Sequence, residues 1–260
     1  MNKQQSQLIP IFVINLKRSL ERKEFIKKQF DDLIQQTQKS INYEFFVAIN
    51  GKETPNHPLF NKYNDSLRFE RKGNRMNLSQ LGCFASHYLL WEKCLTLKQP
   101  IIILEDDAII HDSFIDVYDF INSSQNNFEF FWLSPPAPVN RGQKGKLVFN
   151  IPNISHNVLK YYKGWGNATG YFITPQAAKK LLEYTTTWIY DADITMDRYW
   201  ENNLHYLAIS PACLEPNFSM ESNIPVDKGK KERTLLIKIK REFYKTIDNI
   251  NKFIFDLRNK

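Results

Sequence analysis

The sequence predicts an α/β sandwich around a largely parallel sheet, and three observations carry that expectation. Apolar runs of strand length alternate with longer segments of helical period along most of the 260 residues. One run, Ile101-Ile102-Ile103-Leu104, is apolar without alternation, which marks a strand buried on both faces. Its carboxyl end leads directly into Glu105-Asp106-Asp107, at the place where open α/β sheets gather ligands.

The elements follow in order. A first strand is expected from Ile9 to Leu16, then a helix from Leu20 to Gln35 whose buried face is Leu20, Phe25, Ile26, Phe30, Leu33 and Ile34. A second strand, Tyr43 to Ile49, stops at the turn pair Asn50-Gly51. Residues 52–77 are polar and aperiodic, which reads as a long surface loop with short irregular helices. A helix from Ser79 to Leu97 feeds the strand Ile101 to Leu104. After the acidic triplet come a helix near Ser113 to Ile121 and a strand from Phe128 to Leu133, broken by Ser134-Pro135-Pro136-Ala137-Pro138. Short strands are expected near 146–151 and 158–162, then the turn-forming run 164–170 and a strand at 171–173. Thr174-Pro175 has the N-cap and first-turn proline of a helix reaching Tyr184. A helix over Asp191 to Trp200 and a strand over Tyr206 to Ile209 complete a body covering residues 1–223.

Composition narrows the function. Eleven Lys or Arg and four Asp or Glu lie between Lys228 and Lys260, a surplus equal to the whole chain's +7. The body is therefore neutral and the tail basic. A nucleic-acid binder spreads basic charge over its folded face, so that class is disfavoured. Cys83, Cys94 and Cys213 form neither a disulfide framework nor a metal spacing, which points to a reducing compartment and to cysteines that pack. The N-terminal residues lack signal-peptide chemistry and no segment reaches the length of a membrane span, so a cytoplasmic protein is expected.

Residues 224–260 read as a separate basic amphipathic helix. Leu236, Ile239, Phe243, Ile247, Ile250 and Ile254 make one apolar stripe, with Lys238, Lys245 and Lys252 repeating beside it. Such a helix suits the headgroup region of an anionic membrane. The alternative is packing on its own domain or in a dimer.

Crowded carboxylates repel and lose hydration, so a fold tolerates them best where a cation holds them; hard oxygen ligands suit Mg²⁺ or Mn²⁺ carrying a diphosphate. The alternative is a solvated acidic turn. Several short motifs bear on the choice. Val13-Ile14-Asn15-Leu16 with Arg18 and Arg22, Leu81-Gly82-Cys83-Phe84-Ala85-Ser86-His87 with Trp91, Ile103-Leu104-Glu105-Asp106-Asp107-Ala108, Thr169-Gly170-Tyr171, and Asp193 with Arg198-Tyr199-Trp200 stand in that order. Together they resemble glycosyltransferase family 25, the bacterial lipopolysaccharide and lipooligosaccharide glycosyltransferases and their collagen-modifying relatives. The resemblance spans residues 9–220. It implies a GT-A-type nucleotide-sugar-binding fold, a UDP-sugar donor (usually UDP-galactose), Mn²⁺ dependence and inversion at the anomeric carbon. One position departs from the pattern: Gln80 stands where many members carry glutamate.

The chemistry assigns roles. A metal ion held by carboxylates offsets the charge gathering on a diphosphate leaving group. Asp107 is the first candidate ligand and Glu105 the second, while Asp106, on the opposite side of a continuing strand, would meet the sugar or ribose. Arg18 and Arg22, four apart on the first helix, suit the uracil, ribose or diphosphate, or else form a solvated face with Glu21 and Glu24. Asn15 suits the base, or a turn-capping role. The resemblance adds Ser86, His87, Gly170 and Tyr171 as donor-site residues; on the residues alone, His87 is equally a satisfied core histidine. Inverting transfer needs a base on the acceptor hydroxyl, for which Asp193 is the first candidate and Asp191 the second, with helix N-capping as their alternative. Asp197 lies on the same helix face as Asp193.

Overall fold

The computed structural model describes residues 8–220 and 234–259. The body opens with β1 (Ile11–Asn15), α1 (Leu20–Thr37) and β2 (Tyr43–Val47). The long polar segment contains a 3₁₀ turn, Pro58–Lys62, and α2 (Asp65–Lys72), and leads to α3 (Leu78–Leu97) and β3 (Ile101–Glu105). Next come β4 (Ala108–Ile110), α4 (Phe114–Ile121), β5 (Phe130–Trp132), β6 (Lys146–Asn150), β7 (Asn157–Lys160) and β8 (Gly170–Ile173). The body ends with α5 (Pro175–Tyr184), α6 (Ala192–Asp197), α7 (Tyr199–Asn202), β9 (Leu207–Ser210) and β10 (Leu214–Pro216). The basic tail forms α8 (Leu235–Arg258).

The expected α/β sandwich is what forms. Eight strands share one sheet in the order β2-β1-β3-β8-β5-β9-β7-β6. Pairing directions make six of these strands run one way, while β8 and β7 run against them. β3 lies between β1 and β8, and Ile101 to Leu104 are each 0% exposed. Alternate side chains of β3 enter opposite layers. Ile101 and Ile103 join Phe84, Leu90 and Trp91 of α3 and Ala177 of α5, whereas Ile102 and Leu104 join Ile26 and Phe30 of α1 and Phe114 of α4. Full burial of each such side chain is worth about 1.5–3 kcal/mol, which helps to hold a charged turn at the strand's end.

Two features departed from the sequence reading. β4 and β10 form a small antiparallel ribbon beyond the main sheet; three-residue strands carry too little periodicity to be read. The helix expected over 191–200 breaks at Arg198, which leaves helical geometry between α6 and α7.

The tail is docked on the body. The 223/224 boundary lies outside the described residues, but α8 packs against α2 and α7. Lys240 pairs with Glu70 at 2.7 Å, and Tyr199 donates to Asp256 at 2.9 Å. Arg198, nearly buried, is gripped by Asp248 at 2.5 and 2.8 Å and by Glu201. Lys252 is half-buried over the rings of Tyr199 and Trp200, so it is a docking residue and not a free member of a basic repeat. The apolar stripe faces away: Leu236, Ile239, Phe243, Ile250 and Ile254 are 40–62% exposed, while Ile247 is half-buried.

Removing one partner of a buried ion pair costs about 3–5 kcal/mol. Because Arg198 would keep Glu201, Asp248→Ala should cost about 2 kcal/mol, and thermal melting should show a lower midpoint than wild type. An unchanged midpoint would mean that the clamp adds nothing to stability.

Candidate active site

The acidic triplet is a turn. β3 stops at Glu105, Asp106 and Asp107 turn the chain, and β4 begins at Ala108. The expectation that Asp106 extends the strand and points at a sugar is therefore corrected. Its Oδ2 accepts from Asn15 Nδ2 at 2.8 Å and its Oδ1 from Arg22 at 2.7 Å, so it braces the turn. Asn15 gives its other amide proton to the Ser19 carbonyl at 3.1 Å and is 5% exposed. The geometry gives Asn15 the turn-capping role, with both amide protons used.

Arg22 also reaches Asp107 Oδ2, at 3.2 Å. The second oxygen, Asp107 Oδ1, is buried with no hydrogen-bond partner among the described residues. Burial, and then the charge of Glu105, push the Asp107 carboxyl up to about 7. Burial also raises Asp106, opposed by Arg22 and Asn15. An unpartnered carboxylate oxygen beside a second carboxylate is a donor set that fits a hard divalent cation.

A cleft opens over this turn, lined by Arg18, Arg22, Ile49, Asn50 and the three acids. It continues along Leu16, Val47 and Ala48. Arg18 lies at the rim, half exposed and 3.7 Å from Glu53. A second cleft is lined by Gln80, Asn167, Ala168, Asp191 and Asp193. The two share Cys83 and Glu105 as a common wall.

Helix α3 builds that wall. It begins with a reciprocal cap, in which Asn77 and Gln80 bond each other's backbone N–H. A Cβ on Gly82 would lie 2.4 Å from the Ile49 carbonyl and 2.8 Å from the Gly51 nitrogen, so only glycine lets α3 approach the 49–51 loop. Ser86 completes the same contact: its hydroxyl donates to the Gly82 carbonyl at 2.8 Å and accepts from Ile49 N–H at 2.9 Å. Its hydrogen bonds fasten the loop that lines the first cleft.

His87, Gly170 and Tyr171 lie behind the wall. All are buried, and none lines either cleft, which corrects the expectation that they contact the donor directly. Gly170 passes so close to Leu214 and Leu104 that a Cβ would meet side-chain carbons at 2.3 and 2.8 Å. The Tyr171 hydroxyl lies 2.9 Å from His87 Nδ1 and accepts from Trp91 Nε1 at 3.0 Å.

The second carboxylate cluster separates into three roles. Asp191 is held by buried Arg68 at 2.9 Å and by Gln80 Nε2 at 2.7 Å, so both of its oxygens are engaged. Gln80, the departure from the family pattern, thus donates where a glutamate would face Asp191 as a like charge. Among the described residues, Asp193 accepts one hydrogen bond, from the backbone N–H of Ile194 at 2.7 Å. Burial, then Asp197 and Asp191, push its carboxyl up to about 7. Asp197, whose role the sequence did not reveal, accepts from the backbones of Trp165 and Gly166, both at 2.9 Å, and from Tyr206. It fixes the loop that walls the second cleft, and burial raises it to about 6. No spacing rule signals a carboxylate bonding to a turn thirty residues earlier.

Comparison with known proteins adds the remaining evidence. The chain is 29% identical over 176 residues to the lipooligosaccharide biosynthesis protein lic2B of Haemophilus influenzae, covering 65% of this chain and 61% of that protein. The Haemophilus influenzae lipooligosaccharide biosynthesis protein lex-1 aligns over 264 residues at 26% identity, covering 88% of this chain and 84% of the relative. A glycosyltransferase 25 family member of Drosophila melanogaster is 28% identical over 177 residues, covering 66% of this chain. The chain spans about a quarter of that fly protein's length and about three fifths of lic2B. The family model described as glycosyltransferase family 25 (LPS biosynthesis protein) matches residues 8–196, taking in β1, the acid turn, α3 and Asp193. With those elements lining two adjoining clefts, the chain belongs to glycosyltransferase family 25.

Proposed function

We propose that this protein is an inverting, metal-dependent hexosyltransferase that moves galactose from UDP-galactose to an oligosaccharide acceptor of lipooligosaccharide or lipopolysaccharide, in a β-1,4 linkage. The observation that carries this reading is the common wall. Glu105 and Cys83 face both clefts, with an acid turn on one side and a raised carboxyl, Asp193, on the other. Donor and acceptor bound in adjoining clefts would meet at that wall.

The roles follow from the chemistry. Asp107 and Glu105 would hold Mn²⁺ or Mg²⁺, which when bound supplies positive charge against the departing diphosphate. Arg22 braces Asp106 and Asp107 and keeps the turn in one geometry. Arg18 at the rim and the apolar floor of Leu16, Ala48 and Ile49 suit the uridine end. Asp193 takes the proton of the acceptor hydroxyl as that oxygen attacks the face opposite the leaving group. A carboxyl near 7 is well matched to this task, because a large share is ionised near neutral pH and is basic enough to accept a proton. UDP-glucose and UDP-N-acetylhexosamine are alternative donors, since the contacts that read one hydroxyl are few. A non-catalytic membrane scaffold with a relic nucleotide fold would have no need of the raised Asp193.

The outward stripe of α8 supports a peripheral position on the cytoplasmic face of the inner membrane. Exposed Lys238 and Lys245 border the stripe, a pattern that suits anionic lipid. No helix of the described residues is long and apolar enough to cross a membrane.

Release of UDP from UDP-galactose with a lactose- or glucose-ended acceptor should require a divalent cation; absence of turnover with every UDP-sugar would remove the proposal. Asp107→Ala should abolish metal-dependent UDP binding in calorimetry, and unaltered binding would sink the metal assignment. At saturating donor and metal, kcat should climb as pH rises through about 7, because Asp193 must lose its proton to act as base. Asp193→Asn should lower kcat by about 10²–10⁴-fold and erase that limb. Replacing Phe243 and Ile250 with Ser should weaken flotation with phosphatidylglycerol vesicles and leave UDP binding intact; undiminished flotation would reject the membrane role of α8.

A further inference from the structure

One line of buried polar side chains lies outside both clefts and ends at their shared wall. Trp91 Nε1–H donates to the Tyr171 oxygen at 3.0 Å, and the same oxygen lies 2.9 Å from His87 Nδ1. Trp91, Tyr171 and His87 are each 0% exposed, so bulk water does not reach their polar atoms. On the far side of the ring, His87 Nε2 faces Glu105 Oε1 at 3.7 Å. That nitrogen has no hydrogen-bond partner among the described residues.

Counting donors fixes the direction of the line. An indole N–H can only donate, so the Tyr171 oxygen is its acceptor. Burial pushes the Tyr171 phenol well above its usual range, so it keeps its own proton. That proton has one remaining acceptor among the described residues, His87 Nδ1. Were Nδ1 to carry a proton instead, a buried hydroxyl would be left with a donor and nothing to receive it. Nδ1 therefore accepts, and the imidazole proton sits on Nε2, directed at Glu105.

We propose that Trp91, Tyr171 and His87 form a tautomer lock, and that His87 is the positioning residue for Glu105, holding that carboxylate on the wall between the two clefts. His87 lines neither cleft, whereas Glu105 lines both, so whatever His87 contributes passes through Glu105. The assignment also decides between two readings of one cluster. Cys83, His87 and Glu105 each bring a ligand atom within 4.8 Å of the others, a thiol, imidazole and carboxylate set that suits Zn²⁺. The lock places a proton on the histidine atom that would have to coordinate, so the trio is a packed wall with an N–H turned toward a carboxylate and not a metal centre.

The lock is read directly from histidine ¹⁵N resonances of the full-length protein, with His87 assigned from the spectrum of His87→Gln. The wild-type ring should be protonated at Nε2, and Tyr171→Phe should give a mixture of tautomers. A wild-type ring protonated at Nδ1 overturns the proposal, whatever happens to the variants. Cobalt(II) titration supplies a second arm. A thiolate-to-cobalt absorption present in wild type and lost in Cys83→Ser would establish the metal trio and reject the lock, whereas its absence supports the lock. The kinetic arm alone rests on the transferase reading: His87→Gln, which keeps an N–H donor, should stay within about tenfold of wild-type kcat, and His87→Leu should lose about a hundredfold or more. Equal losses in the two variants would contradict the positioning role. Failure of wild type to turn over would count against the transferase reading, with the resonance and cobalt arms still deciding the lock.

Discussion

The rest of the site depends on three carboxylates crowded at the end of a fully buried strand. Ile101 to Leu104 fix β3 on both faces, so the position of Glu105 cannot relax by sliding the strand. The repulsion of Asp106 and Asp107 is contained instead by one guanidinium and one amide, Arg22 and Asn15, arriving from α1 and the end of β1. Those residues lie about ninety positions earlier in the chain, and the parallel pairing of β1 with β3 brings them alongside. The arrangement leaves Asp107 Oδ1 without a hydrogen-bond partner among the described residues and its carboxyl raised.

The second constraint is the approach of α3 to the first cleft. Glycine at 82 and the two hydrogen bonds of Ser86 tie the helix to the 49–51 loop. That contact brings Cys83 to the surface common to both clefts and carries His87 to the back of Glu105. The geometry of the cleft wall thus rests on packing between backbone and helix. Asp197 does the same for the second cleft by collecting the Trp165 and Gly166 amides.

The tail joins body and surface. Its polar side closes on α2 and α7 through Glu70, Arg198 and Tyr199, and Arg198 adjoins the helix that carries Asp193. Its apolar side is left outward. A helix whose charges are used for docking and whose stripe is exposed differs from a free basic arm, although composition cannot distinguish the two.

By itself the sequence determined the sandwich, nearly all the longer elements and the place of the acidic triplet at a buried strand's end, because period, caps and unbroken apolar runs are local properties. It also singled out Asp107, Glu105 and Asp193, which the fold brings to the two clefts, and the ordered motifs pointed to the family. Only the tertiary structure decided how each polar side chain is used. Asn15 and Asp106 brace a turn, Asp191 is tied down by Arg68 and Gln80, and Tyr171 and His87 stand behind the cleft wall. A polar residue's role is set by the partners that exhaust its donors and acceptors, and those partners come from distant parts of the chain.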